Sequence, residues 1–359
     1  MDKFQNLGFI DWYFNDITED IPVKQNLARI VTVNKDNFTL QNEECLFTAQ
    51  IMGRLRYHSE SKVDLPAVGD WVEIQSKKKD VLPRIKRILP RKTELKRKMA
   101  GRRIEYQMIA TNINTAFIVQ ALDTNFNINR MERYLAMIHE SNIEAIILLS
   151  KTDLLFPEEL QEKIDQIRNH GITEEIITFS NKKVDGIKSV LDRLEQGKTY
   201  CLLGSSGVGK TSLINNIVGN EMFVVNEIRE KDRKGRHTTT NRNLVVLPTG
   251  GMIIDTPGMR ELGNIEITEG LKKTFNEIEK LGQKCKFKNC SHTQEPKCAV
   301  LQRIKDGYIS QDHYENYMRL KRESEYNEMS YIEKRKKDKT FSKMVKQAMS
   351  GIKQRKKDS

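Results

Sequence analysis

Gly204-Ser205-Ser206-Gly207-Val208-Gly209-Lys210-Thr211 is the stretch on which the fold turns. It follows the apolar run Tyr200-Cys201-Leu202-Leu203 and leads through Ser212 into a helical segment, so a G-x-x-x-x-G-K-[ST] loop stands between a strand and a helix. The glycines let successive backbone N–H groups converge on phosphate oxygens at a helix N-terminus, where the dipole favours negative charge. Lys210 is placed to reach the β- and γ-phosphates, and the Thr211 hydroxyl to ligate Mg²⁺. An incidental glycine turn does not account for the flanking strand and helix.

Upstream of the loop, apolar strands alternate with amphipathic segments. Ala116 to Ala121, Ala145 to Leu149, Glu175 to Phe179 and Thr199 to Leu203 read as strands. Asn129 to Glu140, Pro157 to Arg168 and Val184 to Glu195 read as helices. This alternation predicts a parallel sheet with helices on both faces. Downstream, the apolar run Met252-Ile253-Ile254 ends in Asp255-Thr256-Pro257-Gly258. An acid at a strand end can hold Mg²⁺ through water, and the Gly258 N–H can sense a γ-phosphate. The tetrapeptide is also a common turn, but its place after the phosphate loop favours a nucleotide switch.

Ser150-Lys151-Thr152-Asp153 closes the strand before it, where parallel sheets carry ligand-binding residues. It resembles the guanine-reading Asn-Lys-x-Asp element of GTPases. Asp153 would accept from guanine N1–H and the exocyclic amine, which adenine cannot match, and Lys151 would lay its stem along the base. Ser150 departs from the usual Asn, at an expected cost on the order of 1 kcal/mol, and leaves an ATPase as an alternative. Ser180-Asn181 resembles the Ser-Ala element that backs the base, with a helix cap as the competing reading of Ser180. These elements precede the phosphate loop, the reverse of the usual GTPase order. A circular permutation explains this, because it joins the old ends and opens the chain at a surface loop.

The 359 residues suggest two or three domains. No apolar run is long enough to span a bilayer and no signal peptide is evident, so a cytoplasmic location without membrane contact is expected. Before residue 103, short β-rich runs at Leu27 to Val33, Phe38 to Leu40, Leu46 to Ile51 and Val68 to Ile74 predict a small barrel of the OB type, a fold that often binds oligonucleotides. Arg84 to Arg103 carries ten basic residues against Glu94 and reads either as a solvated linker or as a polyanion contact. The final segment, Glu333 to Ser359, has eleven basic residues against three acids and a spacing that permits an amphipathic helix. Much of the +12 net charge therefore brackets the nucleotide module, which favours a nucleic-acid partner. Of five cysteines, Cys45 and Cys201 are expected to be buried in strands. Cys285, Cys290, His292 and Cys298 form C-x₄-C-x-H-x₅-C, a donor set for a structural tetrahedral zinc, and Lys284, Lys286, Lys288 and Lys297 surround it.

A β-barrel, a permuted GTPase module and this zinc segment, in that order, resemble the bacterial small-ribosomal-subunit-dependent GTPase family RsgA, also called YjeQ. The expected architecture is an α/β P-loop GTPase core, circularly permuted, between an N-terminal OB-fold barrel and a C-terminal helical zinc-binding domain. The expected limits are 1–103, 104–264, 265–330 and a basic tail at 331–359. The resemblance implies GTP hydrolysis stimulated by the small ribosomal subunit, late in its maturation. It also implies 16S rRNA and other maturation factors as partners of a monomeric chain. It makes Lys234 to Thr240 the first switch, with Thr238 or Thr239 at Mg²⁺ and His237 catalytic, since Met259 stands where many GTPases have a water-orienting Gln. The competing reading is an rRNA-binding scaffold whose nucleotide is structural.

Overall fold

Strands buried on both faces need apolar side chains at every position, and the chain supplies several. The computed structural model describes residues 3–9, 24–35, 37–75, 82–99, 105–183, 186–219, 242–255, 267–329 and 333. After a one-turn helix α1 (Lys3–Asn6), the strands β1 (Leu27–Asn34), β2 (Asn37–Gln41) and β3 (Leu46–Ile51) form a meander. A short helix α2 (Gly53–His58) then leads to β4 (Trp71–Gln75) and β5 (Arg84–Ile88). The order β1-β2-β3-β5-β4 closes through a β1–β4 pairing, with β3 and β5 parallel. This is a five-stranded OB barrel, and Ile30, Leu40, Val72 and Ile85 fill it.

A two-stranded hairpin follows, β6 (Glu94–Lys98) with β7 (Tyr106–Thr111). Over its described part the basic stretch from Arg84 runs through the barrel strand β5, a connection at 89–93 and the hairpin strand β6, and is not a linker. Arg91 within it is nearly buried, and its guanidinium grips both carboxylate oxygens of Asp70 at 2.8 Å. Cys45 also differs from expectation. It is exposed and precedes β3, because Asn42 Oδ1 accepts the Glu44 and Cys45 N–H groups and makes a turn there.

The nucleotide module runs β8 (Thr115–Ala121), α3 (Ile128–Glu140), β9 (Glu144–Ser150), α4 (Pro157–Asn169), β10 (Glu175–Thr178), α5 (Lys188–Leu191), β11 (Thr199–Leu203), α6 (Lys210–Gly219), β12 (Asn243–Val246) and β13 (Met252–Asp255). Local signals start the longer helices. Asn127 Oδ1 accepts the Arg130 N–H at 2.7 Å, and α4 opens on Pro157 with Glu159 accepting the Phe156 N–H at 2.8 Å. The sheet order is β10-β9-β8-β11-β13-β12, parallel except for β12. Counted from β11 as strand one, it reads 6-5-4-1-3-2, a GTPase sheet whose chain opens at strand four. Along β8, Ala116 and Ile118 join the core on one face, while Phe117, Val119 and Ala121 join the other. The expected helix Val184 to Glu195 is shorter than its apolar spacing predicts. Among its described residues only Lys188–Leu191 is helical, and Gly186 O accepts the Ser180 N–H at 3.1 Å, which ties Gly186 to the end of β10.

Helices α7 (Thr268–Thr274), α8 (Asn276–Gly282), α9 (Ala299–Lys305) and α10 (Gln311–Glu328) form the third unit around Phe275, Ile278, Tyr317 and Leu320. It sits on α3 at very close range. A Cβ on Gly270 would lie 1.8 Å from Ala136 O, so only glycine fits. A buried charge network crosses the same contact. His313 lies between Glu132 at 2.6 Å and Glu277 at 2.5 Å, with His170 Nδ1 at 3.0 Å from Glu132 and Asn316 donating to it. Both ring nitrogens of His313 face carboxylates, so it is an imidazolium and offers no lone pair to a metal.

Candidate functional site

Three strand ends meet at the carboxyl edge of the sheet, and β11 is the point where strand order reverses. That is the position at which open α/β sheets bind ligands. From β11 the chain enters the loop Gly204 to Gly209, in which Gly204, Gly207 and Gly209 have φ of 148°, 81° and 95°. These left-handed conformations let consecutive N–H groups face one point. Lys210 Nζ donates to Gly204 O and Ser205 O, both at 2.7 Å, so the ammonium lies across the loop. Ser205 Oγ is buried in the loop without a hydrogen-bond partner among the described residues, which fits a phosphate oxygen as its partner. Ser206 is exposed, Val208 is buried beneath the loop, and Thr211 and Ser212 are exposed at the start of α6. Asp255 ends β13 in register with Leu202 of β11, which puts its carboxylate strand end beside the loop.

The residues expected to read the base close the neighbouring strands. Ser180 Oγ donates to Asp153 Oδ1 at 2.6 Å. The Ser180 hydroxyl, aided by Lys182, holds the Asp153 carboxyl below the usual range against a weak opposing effect of burial. Asp153 is therefore an anion with a fixed plane, as reading two N–H donors requires. Thr152 and Asp153 form a 3₁₀ turn after Lys151, whose φ is 64°. Lys151 Nζ pairs with Asp123 at 2.6 Å, which fixes its stem. Ser150 is fully buried and donates to Val208 O at 2.7 Å. Its short hydroxyl thus reaches the phosphate loop, a contact not legible from its size. Asn181 likewise turns to the loop, donating to Gly209 O at 3.2 Å. His237, Thr238, Thr239 and Gly258 lie outside the described residues.

Cys285, Cys290, His292 and Cys298 come together before α9, with their donor atoms within 4.8 Å of one another. Sγ of Cys285 is 3.8 Å from Cys298 and 3.6 Å from His292 Nδ1, which is 3.4 Å from Cys298. A tetrahedron with Zn–S near 2.3 Å has S–S edges of about 3.8 Å, so this donor set fits zinc. Burial, with Lys321 nearby, lowers the His292 pKa and keeps the ring neutral for ligation. Burial opposes a thiolate at Cys285, but the Ala299 and Val300 N–H groups at the head of α9, together with the Cys290 and Cys298 thiols, lower its pKa on balance.

Fold and site together define a circularly permuted P-loop GTPase. Residues 88–265 match the family model for RsgA GTPases. A relative from Vibrio vulnificus, named small ribosomal subunit biogenesis GTPase RsgA 2, is 38% identical over 344 residues, 96% of this chain and 94% of its own. Another of the same name from Lactiplantibacillus plantarum is 39% identical over 334 residues, 92% of each chain. The chain belongs to the RsgA family. YjeQ from Thermotoga maritima superposes with a TM-score of 0.62 over 83% of this chain and 98% of its own, at 23% identity. YloQ, described as a circularly permuted GTPase, gives 0.56 over 84% and 96%, also at 23%. Both likenesses concern the fold.

Proposed function

We propose that this GTPase binds the small ribosomal subunit, hydrolyses GTP to GDP and phosphate there, and acts late in the subunit's maturation. The observation that carries the reading is the Ser180–Asp153 hydrogen bond, which fixes a guanine-reading carboxylate beside a phosphate loop, in a chain matched along 96% of its length by a relative named for small-subunit biogenesis. Gly204 to Gly209 cradle the phosphates, Lys210 neutralises charge as the leaving oxygen departs, and Asp153 selects guanine over adenine. Thr211 and Asp255 would hold Mg²⁺, which would supply further charge neutralisation at the phosphates. Thr238 or Thr239 would complete its shell, Gly258 would sense the γ-phosphate, and His237 would orient the attacking water. The four-donor cluster takes a structural zinc.

The barrel, the hairpin, the zinc segment and the basic tail supply the 16S rRNA contacts in this reading. Exposed Tyr57 beside Arg54 and Arg56 on α2, and Phe287 under Lys286, are aromatic–basic pairs suited to unpaired bases. The chain works in the cytoplasm as a monomer. Among the described residues no helix is long and apolar enough to cross a membrane. Multiple-turnover GTP hydrolysis with and without purified small subunits tests the proposal. Stimulation of at least tenfold, falling steeply with salt, is expected. Equal rates would favour an rRNA-binding scaffold, and a His237→Ala variant with full stimulated turnover would remove that residue from the mechanism.

A further inference from the structure

N–H groups that converge on a phosphate leave the neighbouring carbonyls of the loop to find partners elsewhere. Here two consecutive carbonyls, Val208 O and Gly209 O, are held by side chains from the two base-reading elements. Ser150 donates to the first and Asn181 to the second. Asn181 is in turn fixed by Asn216 on α6, whose Nδ2 donates to both Asn181 O at 3.1 Å and Asn181 Oδ1 at 3.2 Å. With its oxygen occupied by Asn216, the Asn181 amide presents its NH₂ to Gly209. The fit is close, since a Cβ on Gly209 would lie 2.8 Å from Asn181 Nδ2. Residue 181 is thus committed to the phosphate loop by its side chain.

The geometry points to a positioning role for Asn181 and Asn216: together they hold the back of the phosphate loop, so that the guanine-reading loop and the phosphate cradle form one rigid unit. The inference rests on reading Gly204 to Thr211 as the nucleotide phosphate site. Gly209 O also accepts the Leu213 N–H at 2.9 Å, so the Asn181 bond adds to the first turn of α6 where the loop becomes helix. A cradle held in shape before binding loses less freedom on binding, which appears as affinity. Base recognition stays with Asp153 and is untouched by this tie.

Titration of the full-length chain with GDP and with IDP, which lacks the exocyclic amine, separates the two roles open to Asn181. Asn181→Ala and Asn216→Ala are each expected to raise Kd about five- to tenfold for both nucleotides, the size of one or two hydrogen bonds. The GDP/IDP ratio stays at the wild-type value, and kcat at saturating GTP stays within about twofold. The double variant is no weaker than Asn181→Ala, because Asn216 acts through Asn181. Asn216→Asp, which sets a carboxylate against two oxygens, exceeds Asn216→Ala. A collapsed GDP/IDP ratio would assign Asn181 to the base and overturn the inference, as would unchanged Kd values. A wild-type chain that bound neither nucleotide would overturn the site assignment itself.

Discussion

Ser180 Oγ and Asp153 Oδ1 are 2.6 Å apart, joining the end of β10 to the turn after β9. The hydroxyl occupies one carboxylate oxygen from behind, which leaves the plane of Asp153 set for a base with two adjacent N–H donors. Ser180 also accepts the Lys182 N–H at 3.2 Å, so the serine is itself locked.

Asp153→Asn converts one acceptor into a donor that faces guanine N1–H. GTP affinity is expected to fall about 10- to 100-fold, the worth of one or two charge-assisted bonds, with no gain for ATP. Xanthosine nucleotides, which carry an oxygen at the position of the amine, should gain relative to GTP. Competition against a fluorescent GDP measures all three.

The nucleotide module is legible because its signals are local or one-dimensional. β8 is apolar at five of its seven positions, and the phosphate loop and the C-x₄-C-x-H-x₅-C run carry their chemistry in their spacing. What is not legible depends on partners far away in sequence. Ser150 reads as a weakened Asn until Val208 O, 58 residues on, is seen to be its acceptor. Asn181 reads as a base-backing residue until Gly209 is found beside it. Val184 to Glu195 has helical spacing, yet among its described residues only Lys188–Leu191 is helical, with Gly186 tied to Ser180. Glu132 on α3 is buried, and its partner His313 lies 181 residues later.

The His313 network predicts a pH window for the joint between the nucleotide module and the third unit. Burial opposes the charge on His313, yet bonds to Glu132 and Glu277 raise its pKa to about 9. Burial also opposes ionised Glu132, and His170, His313 and Asn316 hold its pKa down. His313 therefore contributes stability fully below about pH 6.5, on the order of 3 kcal/mol, and loses it as pH rises through about 9. Glu132 contributes above about pH 4.5 and loses its share on acidification below that. Thermal unfolding from pH 3 to pH 10 should show a plateau between about pH 4.5 and 6.5 with a fall on either side, and His313→Gln should abolish the alkaline fall. An alkaline limb unchanged in His313→Gln would refute the assignment.

Zinc removal should destabilise the third unit and leave the nucleotide site largely intact. Besides its place among the donors, Cys298 caps α9 by accepting the Leu301 N–H at 3.5 Å, and the Tyr314 hydroxyl donates to His292 O at 2.6 Å beside His313. Metal analysis is expected to give one zinc per chain. Chelation or Cys298→Ser should lower Tm by about 10 °C or more, with GDP affinity within about threefold of wild type. Substoichiometric zinc with all four donors intact would contradict the closed site.

Arg29 offers the sharpest test of how barrel and nucleotide module are joined. The residue is 1% exposed, and its guanidinium donates to Leu7 O at 2.6 Å, Gly69 O at 3.2 Å, Asn112 O at 3.3 Å and Thr199 Oγ1 at 2.9 Å. It also lies 3.0 Å from Met252 Sδ. Thr199 and Met252 open β11 and β13, the strands that end in the phosphate loop and Asp255. A planar five-donor fork can serve four acceptors at once, whereas a lysine ammonium cannot span them. Arg29→Lys should therefore fail to rescue, and Arg29→Met, which fills the volume but strips the acceptors, should cost about 3 kcal/mol. Thr199→Val removes one bond only and should cost about 1 kcal/mol. Hydrogen exchange should speed in β1 and at the start of β11 in both Arg29 variants, since one side chain satisfies both. Faster exchange confined to the barrel would mean that the junction is held by other contacts.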